Sequence, residues 1–230
     1  MRFALSTLRR LRLAASAMAL TGAVALVGCP SVNVRPPLDT TTSELAQTGK
    51  ARGLPLRDPL ELDDTLRQAV VEQVGLYGPP DERAGRLLHW IKDQQPEELV
   101  YAAGESYTAK EAFARRRGDC FSFTNLFVAL ARTIGVDAQF VYVREVGRYQ
   151  SRDGSFVVSS HVAAKYGSGA RPELVDFERS ADSRMLYAYQ ELSDRDAAAL
   201  FNNNLAVHHM LRGRVHLAEQ MLRYLVSRAP

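Results

Sequence analysis

Cysteine and tryptophan are scarce in this chain: its 230 residues include two cysteines, Cys29 and Cys120, and one tryptophan. No Cys-x-x-Cys pair is present, which disfavours a redox or thiol-exchange protein. An excess of one charge is lacking too, because 29 basic residues stand against 26 acidic residues. Without a Cys-x-x-Cys pair, each cysteine is interpreted separately.

The N-terminus has the pattern of an export signal. Four arginines among the first twelve residues form a basic region, and an apolar, alanine-rich segment follows over residues 13–27. That segment is short for a bilayer span, so we interpret residues 1–28 as a signal peptide. Its last residues and Cys29, Leu26-Val27-Gly28-Cys29, resemble the lipobox of bacterial lipoproteins. The resemblance implies that Cys29 becomes the mature N-terminus and carries lipid on its sulfur, with palmitate as the expected acyl group. Ordinary secretion with cleavage nearby and an uncleaved anchor are the alternatives.

Removal of residues 1–28 would leave 25 basic and 26 acidic residues, so the mature protein is close to neutral. A nucleic-acid partner therefore has no electrostatic support. If Cys29 is lipidated, Cys120 has no intramolecular disulfide partner, which is unusual in an export compartment. We expect a protein of the bacterial cell envelope, anchored by lipid and facing the periplasm. Pro30 after the lipidated cysteine slightly favours the outer membrane.

Residues 29–59 are polar and rich in Pro and Thr, and they predict a tether between the membrane and a domain that starts near Leu60. Helical spacing of apolar residues follows over residues 62–76 and again after Asp81. Thr108 and Glu111 form the pattern of a capping box for a short helix. Strand-like segments come later, at residues 138–146, 156–166 and 173–177. Helices followed by strands predict an α+β domain over residues 60–192.

Cys120 stands at the head of the helix with the clearest apolar stripe. Gly118 and Asp119 precede it, and Gly135 is expected to end the helix. The stripe consists of Phe123, Leu126, Phe127, Leu130, Ala131 and Ile134. Backbone N–H groups and the helix dipole favour a thiolate at such an N-terminus. A buried, inert cysteine is the alternative interpretation.

His161 and Asp176 follow on strand-like segments and complete a set of residue types suited to nucleophilic catalysis. A thiol nucleophile needs a base, and the base needs an acceptor that orients it. Asp176 lies in the apolar run Leu174-Val175-Asp176-Phe177, where a carboxylate is costly unless it is paired. Either residue alone could be a surface or structurally satisfied group; together and in this order they predict a Cys–His–Asp site.

The order and spacing of these residues resemble the transglutaminase-like superfamily. The resemblance is carried by Arg117-Gly118-Asp119-Cys120, by the helix that runs on to Gly135-Val136-Asp137-Ala138, and by His161-Val162 and Val175-Asp176. It implies a papain-like fold, with a helical lobe that carries Cys120 packed on an antiparallel sheet that carries His161 and Asp176. It also implies that Cys120 is the nucleophile, His161 the general base and acid, and Asp176 the orienting group. An aromatic residue is frequent in the family where this chain has Ala163.

Acyl transfer through a thioester is the chemistry that the resemblance implies, on a protein or peptide substrate and without a cofactor or metal. Hydrolysis is favoured over cross-linking on the resemblance alone. A catalytically silent domain that binds envelope proteins as a scaffold is the alternative. Adjacent His208 and His209 point in different directions on a helix and make poor metal ligands.

Residues 193–230 predict a C-terminal helical hairpin. Their small and apolar residues fall where a tetratricopeptide repeat places its signature: Leu205, Ala206, Gly213, Ala218, Leu222 and Pro230. Asn202 and Leu225 depart from that pattern. A single repeat cannot bury its faces alone, so it must pack on the preceding domain, bind a protein partner or begin an array. A simple helical hairpin that covers the domain is the alternative.

Overall fold

The computed structural model describes residues 40–93, 98–143, 149–152, 155–158, 161–167, 172–177 and 189–228. All of them lie in one compact unit, Val34–Pro230. The predicted signal peptide and Cys29 fall outside the described residues. Over the described part of the chain the elements are, in order, α1 (Thr40–Lys50), α2 (Asp64–Val74), α3 (Pro80–Lys92), β1 (Val100–Tyr101), α4 (Ala109–Arg115), β2 (Arg117–Gly118), α5 (Cys120–Thr133), β3 (Ala138–Val143), β4 (Tyr149–Arg152), β5 (Ser155–Val158), β6 (His161–Tyr166), β7 (Glu173–Val175), β8 (Tyr189–Leu192), α6 (Asp194–Leu211) and α7 (Val215–Val226).

Helix α5 lies at the centre of the fold. All of its residues are buried except Arg132, which is half-buried. The predicted apolar stripe is therefore only part of its buried surface, as is typical of a helix enclosed on every side. Helices α2, α3 and α4 pack against it, and strands β3 and β6 cover it from the sheet. The head of the most deeply enclosed helix thus carries Cys120.

The main sheet is antiparallel, with the strand order β7-β6-β3-β8. Val143 of β3 is paired with His161 of β6, and Ala164 of β6 with Val175 of β7. Helices and an antiparallel sheet in this order confirm the predicted α+β class.

Two sheet predictions need correction. Residues 156–166 do not form one strand: β5 pairs with β4 in a separate two-stranded sheet, whereas β6 lies in the main sheet. Ser159 and Ser160 fall outside the described residues. The edge strand β8 was not predicted, because its exposed Tyr-Gln-Glu sequence lacks the alternation of a half-buried strand.

The tether prediction is wrong for residues 40–59. Thr40–Lys50 form helix α1, and Leu45, Leu54 and Leu56 are buried in a cluster with residues of α6 and α7. The Pro- and Thr-rich composition led to the tether prediction despite these leucines. Their burial stabilises the folded state, because it removes apolar surface from water. The folded part of the chain therefore begins before Leu60, and residues 29–39 lie outside the described part.

Helices α6 and α7 form the predicted hairpin, and Gly213 at their turn adopts a positive φ of 78°. Ala197 and Phe201 of α6 join the core around α5, so the hairpin packs on the preceding domain. Asn202 is fully buried: its side chain accepts from Arg57 N (2.8 Å) and donates to Arg57 O (2.9 Å). Membership of the tetratricopeptide class stays a prediction. None of the helices in the described ranges has the length and apolarity needed to span a bilayer.

Candidate active site

The N-terminus of α5 is fixed by a capping box that sequence reasoning missed. Asp119 accepts a hydrogen bond from the Ser122 backbone N–H at 3.0 Å, and Ser122 Oγ accepts from Asp119 N at 3.3 Å. Only part of the signal was present in the sequence: Asp119 is a favoured N-cap residue, but Ser122 stands where the usual capping box has Glu or Gln. The box defines the backbone direction at Cys120, the first residue of the helix.

A second layer of hydrogen bonds surrounds this cap. Ser106 Oγ donates to the Asp119 carboxylate, and Ser122 Oγ accepts from the backbone N–H of Tyr107 at 2.8 Å. Burial raises the pKa of Asp119 and outweighs the hydrogen bonds from Ser106 and Ser122, which lower it. The cap is therefore a buried polar network whose members satisfy one another.

Gly118 leaves the room that this network needs. A Cβ atom at residue 118 would collide with the side chain of Ser122. The same residue belongs to β2, which pairs in parallel with β1: Ala102 N donates to Gly118 O at 2.8 Å, and Val100 N donates to Arg116 O at 2.8 Å. The segment that leads into Cys120 is thus held from both sides.

The sheet brings His161 and Asp176 together at the other side of the site. His161 begins β6 and is 4% exposed, while Asp176 directly follows β7. Antiparallel pairing of the two strands places His161 Nε2 2.8 Å from Asp176 Oδ2. Thr124 Oγ1 of α5 donates to the Val162 carbonyl at 3.2 Å and so ties the cysteine helix to the histidine strand.

The Cys120 side chain is close enough to His161 to interact with the imidazole and to raise its pKa. Because Asp176 occupies Nε2, Nδ1 is the ring nitrogen that remains for the thiol. Burial lowers the pKa of His161, but the hydrogen bonds and charges of Asp176 and Cys120 outweigh burial and raise that pKa to about 10. An imidazolium between a carboxylate and a sulfur is the arrangement that stabilises a reactive thiolate.

His89, Arg116 and Arg117 make contacts elsewhere in the fold. His89 is exposed and bonded to Asp93. Arg116 is buried in a left-handed conformation (φ 51°) and donates to the Ile91 carbonyl at 2.7 Å, while Arg117 pairs with Glu105. Within the described ranges, no three His, Cys, Asp or Glu side chains are grouped so that they could hold a metal ion.

An aromatic cavity beside the site was not predicted. It has a volume of about 310 Å³, and its lining includes Tyr101, Phe123 and Phe177. Trp90, the one tryptophan of the chain, lies in the core and stacks on Phe113 with ring centroids 5.3 Å apart. Ala163, where the family often has an aromatic residue, packs with Val141 and Val143 instead. Scattered aromatic residues gave no sequence signal, because only the fold brings them together.

Comparison with known protein families gives a match that covers the candidate site. The family model described as the transglutaminase-like superfamily matches residues 67–192, more than half of the chain. The matched range runs from α2 to the end of β8 and includes Cys120, His161 and Asp176. No curated protein and no solved structure matches the chain.

Proposed function

Because the chain belongs to the transglutaminase-like superfamily, we propose that it is a cysteine enzyme that cleaves amide or peptide bonds through a thioester on Cys120. One observation carries this proposal: His161 Nε2 lies 2.8 Å from Asp176 Oδ2, and the Cys120 side chain is close enough to His161 to interact with the imidazole. A histidine held between a carboxylate and a thiol has the geometry for proton transfer to and from the reacting atoms.

In the first half-reaction, the Cys120 sulfur attacks the carbonyl carbon of the substrate. The proton of the thiol resides on His161, and the negative charge moves to the carbonyl oxygen. The backbone N–H of Cys120 lies at the N-terminal end of α5, where helix amides and the dipole stabilise a developing oxyanion. Collapse of the tetrahedral intermediate breaks the C–N bond, and His161 donates its proton to the leaving amine.

In the second half-reaction, water attacks the thioester while His161 accepts a proton from it. The C–S bond then breaks, and the acid product leaves. The Cys120 sulfur is again free of the acyl group, and the proton taken from water is shared with His161 as at the start. Asp176 orients the imidazole through Nε2 in both half-reactions. Attack by an amine instead of water would give transamidation by the same steps. We favour hydrolysis of a protein or peptide substrate.

The proposed location is the bacterial cell envelope, with Cys29 lipidated and the domain facing the periplasm, in the outer membrane. The N-terminal sequence pattern supports this location. Expression of the full chain in a bacterial host tests it: Cys29→Ser is expected to move the protein from the membrane fraction to the soluble fraction. Equal membrane association of both proteins would contradict lipidation at Cys29.

Thiol alkylation tests the enzyme proposal without knowledge of the substrate. At pH 7 we expect iodoacetamide to alkylate Cys120 rapidly in the native protein and much more slowly in His161→Ala, as intact mass reports. His89→Ala is the matched control, because His89 is an exposed histidine that pairs with Asp93. Labelling that requires denaturation would instead support the silent scaffold, whose partner would bind the exposed Met210 and Leu211 of the hairpin.

A further inference from the structure

The cavity is lined by residues of the segments that carry the candidate active site, and not by Cys120, His161 or Asp176 themselves. Phe123 lies one helical turn after Cys120, and Phe177 directly follows Asp176. Tyr101 is paired in register with Gly118, two residues before Cys120. Each of the three aromatic residues that line the cavity is therefore close along the backbone to one part of the site. Phe123 is near the nucleophile, Phe177 is next to the orienting carboxylate, and Tyr101 pairs with the segment before the cysteine.

The size of the cavity suits a single large side chain. Its volume of about 310 Å³ lies at the lower end of the range of ligand pockets. Phe123 forms a buried wall (2% exposed), and its ring centroid lies 5.6 Å from that of Phe177. Tyr101 is 40% exposed, so the cavity is accessible from solvent. Leu99 extends the apolar surface.

Two of the three charged side chains that line the cavity, Lys92 and Asp93, make contacts within the protein. Lys92 Nζ lies 5.3 Å from the ring centroid of Phe177, and Asp93 is bonded to His89 at 2.8 Å. Glu98 is exposed. An incoming charged group would compete with these internal interactions, whereas an apolar group gains by covering the aromatic surface.

The acyl part of the substrate is the part that stays near Phe123. In the proposed mechanism the amine leaves from the side of His161, while the acyl group remains bonded to Cys120, on the same helix as Phe123. We propose that this cavity binds a large apolar or aromatic side chain on the residue whose carbonyl is attacked. This inference rests on the proposed function and adds a substrate preference to it.

N-acetyl-aminoacyl chloromethyl ketones test the preference, because the thiolate displaces chloride and the side chain occupies the acyl position. We expect the Phe and Leu reagents to alkylate Cys120 at least about tenfold faster than the Ala reagent, after correction for their rates with glutathione. Tyr101→Ala and Phe177→Leu are expected to reduce that ratio to about threefold or less. Tyr77→Ala, an exposed aromatic residue outside the cavity lining, is expected to keep it.

Iodoacetamide, which carries no side chain, separates the two proposals. Fast alkylation by iodoacetamide together with equal rates for the Phe and Ala reagents would overturn the cavity proposal and leave the enzyme proposal intact. A faster reaction with the Lys or Glu reagent than with Phe would also overturn it, as would a preference unchanged in both cavity variants. A Cys120 inert to every reagent in the native protein would overturn both proposals.

Discussion

Arg132, near the end of α5, forms a bidentate ion pair with Asp194, the first residue of α6. Arg132 Nη2 donates to Asp194 Oδ1 at 2.8 Å, and Arg132 Nε donates to the Ala138 carbonyl at 2.9 Å. The two side chains are only 17% and 8% exposed. This pair connects the helix that carries Cys120 to the sheet and to the C-terminal hairpin.

Loss of Asp194 should be costly, because it leaves the Arg132 guanidinium largely buried without its counter-charge. We expect Asp194→Ala to lower the free energy of unfolding by about 3 kcal/mol, measured by urea denaturation. Glu219→Ala is the control, since Glu219 pairs with Arg223 on an exposed helix surface and should cost under about 1 kcal/mol. Equal losses of unfolding free energy in the two variants would show that the buried pair stabilises the protein no more than the exposed pair does.

Asp176→Asn tests the orienting role of the carboxylate. The amide keeps the size of the side chain but loses the charge that favours a protonated His161. We expect the rate of Cys120 inactivation by a chloromethyl ketone to fall by about 10²-fold or more at pH 7. Asp137→Asn changes an exposed aspartate and should leave the rate unchanged. An unaltered rate in Asp176→Asn would exclude the carboxylate from the mechanism.

The pKa of His161 predicts a pH-dependent contribution to stability. Asp176 and Cys120 raise that pKa to about 10, above its ordinary value of 6.5. The folded state therefore binds the proton more tightly, and the stabilisation is complete below pH 6.5 and is lost as pH rises towards 10. We expect His161→Gln to lower the free energy of unfolding by more at pH 6 than at pH 9.5.

The contribution of His209 to stability should change with pH in the direction opposite to that of His161. Burial and the charges of Arg214, His208 and Arg212 lower the pKa of His209, so native His209 resists protonation. The free energy of unfolding of His209→Gln, relative to the unsubstituted protein, should therefore rise as pH falls below 6.5. Urea denaturation at pH 5 and pH 7.5 measures this change. The same trend with pH in both variants would argue against the His161 ion pair.

Gly118→Ala should disturb the cap of α5, because the added Cβ collides with Ser122. We expect a loss of about 1–3 kcal/mol in the free energy of unfolding and slower alkylation of Cys120. Gly85→Ala is the matched control: Gly85 lies on the exposed face of α3, and its added Cβ meets nothing within 4 Å. That control should stabilise the protein by about 0.5–1 kcal/mol. Destabilisation by both variants alike would contradict the collision.

The local elements of the helical lobe could be predicted because their signals lie close together in the sequence. The Thr108–Glu111 capping box is present as expected, and α5 begins at Cys120 and is followed by Gly135 with a φ of 74°. The strands were harder: β6 and β5 are separate, and exposed β8 lacks a periodic pattern. Helix α1 was missed because tertiary packing of Leu45, Leu54 and Leu56 outweighs a Pro- and Thr-rich composition.

The sequence by itself determined the residue types of the candidate site, the helix that carries Cys120 and the likeness of its surroundings to one superfamily. Only the tertiary structure decided that His161 contacts both Asp176 and Cys120, since strand pairing sets distances between residues far apart along the chain. The tertiary structure also brings Tyr101, Phe123 and Phe177 together around one cavity. These residues share no periodic pattern in the sequence. Local periodicity reports which face of an element is buried, whereas the contacts between elements arise only when the whole core packs.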